Sequence, residues 1–231
     1  MKNSWFVSIL ILLAAGCVSI KPKEVARDTS HLKSETNHPG DRFLLAREHT
    51  KMSRFTLFKA ALDIKKHHLS GLLVVKRMDS TGGTGISEQV DKPVYRIVFA
   101  NEIGMTFFDL ELRPDSLKVI SCFESLNKKA LMKILETDFR FLTGINPVTS
   151  MNYYIQSPSN NQVVAGKAGK CKTWQTYSPS GDTLYKISGK STIADPVFIS
   201  YQDYRHGFPT RIILENPFIG MKLSLRLLDR K

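Results

Sequence analysis

From Phe58 onward the chain alternates. Phe58, Ala60, Leu62 and Ile64 fall on one side of an extended segment, and Lys59, Ala61, Asp63 and Lys65 on the other. That period of two marks a strand with one face buried and one face in water. The same signal returns near the end of the chain, where Met221, Leu223, Leu225 and Leu227 alternate with Lys222, Ser224, Arg226 and Leu228. Between these two segments, residues 71–77, 94–100, 105–113 and 117–123 read as further strands, with Phe108, Leu110 and Leu112 opposing Asp109, Glu111 and Arg113. A Gly-rich polar stretch over residues 79–92 predicts a long hairpin connection. Asn101-Glu102-Ile103-Gly104 and Pro114-Asp115-Ser116 supply two tighter turns.

Over residues 125–142 the period changes to that of a helix. Leu131, Ile134, Leu135, Phe139 and Leu142 form one apolar stripe, with Lys128, Lys129, Lys133, Glu136 and Arg140 outside it. Ser125 or Asn127 is the expected N-cap. After Pro147 the strand signal resumes over residues 162–165, 172–177, 183–188, 197–204, 211–216 and 221–228. Ser178-Pro179-Ser180-Gly181-Asp182 and His206-Gly207-Phe208-Pro209 are read as hairpin turns. A weak internal echo links Asn101-Glu102-Ile103-Gly104-Met105 to Asn216-Pro217-Phe218-Ile219-Gly220-Met221.

About ten or eleven antiparallel strands with one amphipathic helix predict a mainly β, α+β fold. The expectation is a strongly curved antiparallel sheet, an incomplete β-barrel, with the helix across its concave face. Such a body encloses an apolar interior with a mouth, where an acyl chain can lie.

The first residues add an address. Lys2 precedes an apolar stretch from Trp5 to Ala15, followed by Gly16 and Cys17. A charged start, a short hydrophobic run and small residues make a signal peptide. A run of about 11 residues covers roughly 16 Å as a helix, short of the ~30 Å hydrocarbon core. Residues 18–51 are rich in Lys, Glu, Ser, Thr, Asn, His and Pro with little hydrophobic periodicity, the composition of a linker. The expected organisation is therefore a signal peptide over 1–16, a modified cysteine and flexible linker over 17–51, and one folded domain over 52–231.

Charge and candidate chemistry narrow the function classes. The 231-residue chain has 33 Lys and Arg against 21 Asp and Glu, a formal +12. Removing residues 1–16 takes away only Lys2, so a basic surface suited to anionic head groups remains. An extracytoplasmic address and the lack of a recognised motif argue against nucleic acid as a partner. The two cysteines beyond Cys17, Cys122 and Cys171, pair or stay free as far as their spacing shows. There is no His-Glu-x-x-His, no Cys-x-x-Cys, no Gly-x-Ser-x-Gly and no P-loop. Asp109 and Glu111 form a same-face carboxylate pair of the kind usually solvated. No metal, no cofactor and no enzymatic activity are expected.

Two resemblances sharpen the reading. Leu13-Ala14-Ala15-Gly16-Cys17 resembles the bacterial lipobox, with Leu13 one position further from the cysteine than usual. It implies that Cys17 carries acyl chains such as palmitate and becomes the mature N-terminus. The order of elements over residues 55–228, together with Phe99-Ala100-Asn101-Glu102-Ile103-Gly104-Met105-Thr106, resembles the LolA/LolB superfamily of lipoprotein carriers and receptors, most of all the LolB type. The family's Asn-Pro-Leu-Gly turn presents a leucine needed to pass cargo into the membrane. The resemblance implies that Ile103 takes the leucine's place, with Asn101 and Gly104 matching and Glu102 departing from the family's proline.

The expected function is an outer-membrane lipoprotein facing the periplasm, a monomer held by lipid at Cys17 and binding a lipoprotein or lipid cargo. Candidate cavity residues on the strands are Leu62, Leu72, Val74, Phe108 and Leu110, then Leu214, Leu223 and Leu225. The helix contributes Leu131 and Leu135. The alternative is a structural or partner-binding envelope lipoprotein with the same fold and no cargo.

Overall fold

The structure, a computed structural model, describes residues 32–34, 52–78, 93–145, 148–156, 158–169, 171–190 and 196–230. The chain divides into two compact units, residues 1–32 and 33–231, and apart from Leu32 the described residues belong to the second. Its strands are β1 (Leu32–Ser34), β2 (Phe55–Ile64), β3 (His67–Met78), β4 (Val94–Ala100), β5 (Thr106–Leu112) and β6 (Leu117–Cys122). After helix α1 (Lys129–Thr143) come β7 (Val148–Gln156), β8 (Asn161–Ala168), β9 (Cys171–Tyr177) and β10 (Leu184–Lys190). The last three are β11 (Val197–Arg205), β12 (Phe208–Asn216) and β13 (Met221–Arg230).

All strands join one sheet in the order β1-β7-β8-β9-β10-β11-β12-β13-β2-β3-β4-β5-β6. From β7 round to β6 every pairing is antiparallel. The sheet does not close, and α1 lies on the link that carries the chain from β6 at one edge to β7 beside the other. Among the described residues, the expected mainly β architecture with one helix is the one found. Two strands were not expected. β1 falls inside the stretch read as linker. β7 shows no alternation because its register shifts between Thr149 and Asn152, where Ser150 has a φ of 53° and breaks the period of two.

The alternating residues do what their pattern requires. Along β2, Phe58, Ala60, Leu62 and Ile64 are buried, and they stand opposite Leu227, Leu225, Leu223 and Met221 of β13. On the other flank Phe58 meets Leu73 of β3. These inward residues, with the apolar stripe of α1, form one core cluster.

The contacts of α1 show how tightly the sheet curls. Phe139 packs on Phe108 of β5, ring centroids 6.0 Å apart. Phe141, two residues on, lies against Gly189 of β10, so close that a Cβ there would sit 2.7 Å from the Phe141 Cζ. From β10 to β5 is seven steps along the strand order. At ~4.8 Å per step that is about 33 Å in a flat sheet, against a helix about 10–12 Å wide. One turn of helix reaches both strands only because the sheet bends round it.

The start of the helix differs from the expected one. Lys128 is the N-cap, without a side-chain cap, and the first turn holds no acidic residue, so neither Ser125 nor Asn127 caps the helix. Residues 124–126 form a turn instead, in which the Leu126 and Asn127 amides bond to the Phe123 carbonyl. At the other end Gly144, φ 66°, gives the left-handed C-cap. Arg140, expected outside the stripe, reaches across to the β5–β6 turn and donates to the carbonyls of Arg113 (2.9 Å) and Pro114 (2.7 Å).

The backbone leaving β4 crosses over β3. A Cβ at Gly71 would stand 2.0 Å from the Ala100 carbonyl oxygen. At Gly104, φ +87°, open space surrounds the position and only the backbone conformation disfavours a side chain. Gly71→Ala is expected to cost about 1–3 kcal/mol by overpacking, and Gly104→Ala about 1 kcal/mol or less. Urea denaturation of the two variants checks that order.

Candidate functional site

The inward candidates form a continuous apolar layer between sheet and helix. Leu62, Phe108, Leu110, Leu135, Leu214 and Leu223 are 0% exposed, Leu225 1% and Leu131 5%. Phe99 extends the layer, 4.9 Å from Phe107 and 5.5 Å from Phe108 between ring centroids. Each such side chain contributes about 1.5–3 kcal/mol on leaving water. Leu72 and Val74 are placed elsewhere. They face outward, opposite Lys59 and Leu57, while Gly71, Leu73 and Val75 take the buried side of β3. The run Leu72-Leu73-Val74-Val75 is apolar on both faces, so its pattern carries no sign of which side turns inward.

One polar group interrupts this layer. Asp138 is 0% exposed on the buried stripe of α1, and both its carboxylate oxygens lack a hydrogen-bond partner among the described residues. Burial pushes its carboxyl up to about 8. Sequence reading missed it, although the signal was there. Position 138 lies three residues after Leu135 and four before Leu142, inside the stripe rather than beside it.

The turn residues come together at one end. Asn101 closes the β4–β5 turn, its amide donating to the Met105 carbonyl (2.9 Å) and its Oδ1 accepting from the Met105 amide (2.8 Å). The Gly104 amide donates to the Asn101 carbonyl at 3.1 Å. This lifts Ile103 into solvent, 90% exposed. The β12–β13 turn does the same for Phe218, 74% exposed, which the sequence reading did not select. The echo between the two turn sequences was the signal for it. Register places both turns at the same end, since Met221 stands opposite Ile64, Ile64 opposite His67, and Ala100 opposite Leu72 of the same β3. Between them lies the β2–β3 turn, Lys65-Lys66, whose Lys65 amide bonds to the Gly220 carbonyl at 3.4 Å.

The remaining candidates resolve simply. Asp109 is held by the Arg96 guanidinium through both its oxygens, and Glu111 pairs with Arg113 at 2.7 Å. Cys122 and Cys171 are free thiols, and burial raises the Cys122 thiol. Cys17 lies outside the described residues. Among the described residues no helix is long and apolar enough to cross a membrane, and no three His, Cys, Asp or Glu side chains gather as a metal site.

No family model and no curated protein matches this chain. Among solved structures it is similar to a domain described as outer membrane lipoprotein-sorting, from Vibrio parahaemolyticus. That likeness has 11% identity and a TM-score of 0.43 over 82% of this chain and 91% of the other. It is also similar to a DUF1329 family protein from Desulfovibrio piger, at 11% identity and a TM-score of 0.43 over 81% and 90%. Likeness of this degree carries no functional assignment.

Asp138 makes stability depend on pH in a defined direction. The folded chain keeps a proton up to about pH 8, whereas the unfolded chain releases it near the ordinary value of about 3.9. The unfolded state therefore binds fewer protons between those limits, and stability falls as pH rises, by about 1.4 kcal/mol per unit, levelling off above pH 8. Asp138→Asn is expected to remove this slope. The check is the difference between wild-type and variant unfolding free energies in urea from pH 4 to 9; parallel curves would mean that the carboxyl is not buried.

Proposed function

We propose that this chain is an envelope lipoprotein, acylated at Cys17, that takes acyl chains of a lipid or lipoprotein between α1 and the curled sheet. It delivers them to a bilayer through the end bearing Ile103 and Phe218. The pair of apolar turn tips, 90% and 74% exposed at one end of the sheet with Lys65-Lys66 between them, carries the reading. Side chains of this size gain about 1.5–3 kcal/mol each on entering an apolar phase. Each lysine near an anionic surface adds about 1 kcal/mol. Apolar tips with cations between them suit a membrane surface, although Glu102 sits beside Ile103.

The interior is filled at the eight inward candidates, so a ligand enters as α1 moves outward. Two features make the helix the wall that moves. It starts without a cap or a first-turn acid, on Lys128 and Lys129, against the helix dipole. It also buries a carboxyl, Asp138, that has no hydrogen-bond partner among the described residues, at a cost of about 1–3 kcal/mol. Arg140 and the phenylalanines at positions 139 and 141 hold the C-terminal half, the half that also carries Asp138, so the uncapped N-terminal end is the one that opens.

The same filled interior favours a second reading, an envelope lipoprotein that binds a partner and carries no cargo. Organic extraction of the protein purified from membranes, followed by mass spectrometry, separates the two. Near-equimolar lipid beyond the acyl chains on Cys17 is expected; its absence favours the second reading. Ile103→Glu with Phe218→Glu is expected to keep the bound lipid and slow its transfer to acceptor vesicles about tenfold or more, each apolar tip being worth at least ~1.4 kcal/mol. Unchanged transfer would remove the role of the tips.

A further inference from the structure

The outward face of β12, β13, β2 and β3 arranges its charges in two contrasting ways. Nearer the turn end, Glu215, Lys222, Asp63 and His68 stand opposite one another across the four strands, so that the signs alternate over Glu215, Lys222 and Asp63, and His68 lies beside the last carboxylate. The Lys222 Nζ lies 3.1 Å from Glu215 Oε1, and His68 Nδ1 lies 2.5 Å from Asp63 Oδ1. The next outward row is mostly small, with Ile213, Ser224, Ala61 and Ser70 in register. Beyond it Arg211, Arg226 and Lys59 stand directly opposite one another, all exposed. None of the three has an ion-pair partner among the described residues.

Like charges directly opposite destabilise a sheet. A face that alternates signs two rows away keeps these three cations together against its own stability. They face a groove of about 1220 Å³ that Arg205 and Leu228 also line and in which Asp203 is the one acidic lining residue. Leu228 is displaced outward by the bulge between Leu227 and Asp229 and is 53% exposed.

We propose that this groove binds an anionic phospholipid of the phosphatidylglycerol type, its phosphate lying on the Arg211-Arg226-Lys59 row. Guanidinium groups engage phosphate through paired donors, which suits two arginines side by side. Neighbouring strands are ~4.8 Å apart, so the row spans about 10 Å, longer than orthophosphate requires. Leu228 gives the apolar part of an amphiphile a place that a free anion does not need. From Met221 at the turn end to Arg226 is about 17 Å along β13, which puts the ligand clear of a bilayer that the tips touch. The Arg211-Arg226-Lys59 row itself lies on the sheet face opposite the helix-covered layer.

The test is calorimetric titration of the full-length protein, held in nonionic detergent, with dihexanoylphosphatidylglycerol, dihexanoylphosphatidylcholine and inorganic phosphate. The anionic lipid is expected to bind about tenfold or more tightly than either of the others, and less tightly as salt rises. Arg211→Gln with Arg226→Gln is expected to weaken that binding about tenfold or more, while Lys222→Gln, which removes a charge from the alternating row, changes it less than about twofold. The double variant relieves repulsion, so its thermal midpoint at or above that of the wild type shows that lost binding is not lost fold. Equal binding of the two lipids, or equal loss in Lys222→Gln, overturns the site. Phosphate binding as tight as the anionic lipid overturns the lipid assignment.

Discussion

Everything in this fold depends on one turn of helix gripping two distant strands. Phe139 against Phe108 and Phe141 against Gly189 tie α1 to β5 and β10, seven steps apart in the sheet. Those contacts force the curl, and the curl gives the sheet an inside and an outside. Gly189 is the residue that permits the closer contact, since any side chain there meets the Phe141 ring. Inside, the strands present a buried apolar layer. Outside, they present rows of charge whose arrangement is free to serve other ends.

The helix that enforces the curl is not built for maximum stability. It begins on two lysines with no cap, and it buries a carboxyl that finds no partner among the described residues. Both features weaken its docking, while Arg140, bonded to Glu136 and to the carbonyls of the β5–β6 turn, secures its C-terminal half. A wall secured through its C-terminal half and uncapped at its N-terminal end is suited to opening from that end without unfolding the sheet behind it. The close approach of Ala100 to Gly71 and the two projecting turns mark one end of the sheet.

How much of this was legible in the sequence varies with the local pattern. β2 and β13 announced both their type and their buried face, because apolar and polar residues alternate without a break. The run from Leu72 to Val75 announced a strand but not its orientation, and Leu72 and Val74 turn out to face outward. β7 was silent, since the bulge at Ser150 destroys its periodicity. The helix was clear in its stripe, yet its start was not, because Ser125 and Asn127 are residue types that cap helices while the chain makes a turn over 124–126 before the helix begins. Ile103 was found through its turn motif, whereas Phe218 needed the second turn to be seen at the same end. The Arg211-Arg226-Lys59 row was out of reach of sequence altogether, because it exists only through the registers of three strands.

The proposed place for an acyl chain is between α1 and the inward faces of the strands. Intermolecular nuclear Overhauser effects from a ¹³C-labelled palmitoyl chain, measured on protein with its methyl groups labelled, test this most directly. Contacts to Leu135, Leu214 and Leu223, and none to Leu72 and Val74 on the other face, are expected. Contacts confined to Leu72 and Val74, or no contacts from a chain shown to be bound, would contradict the claim.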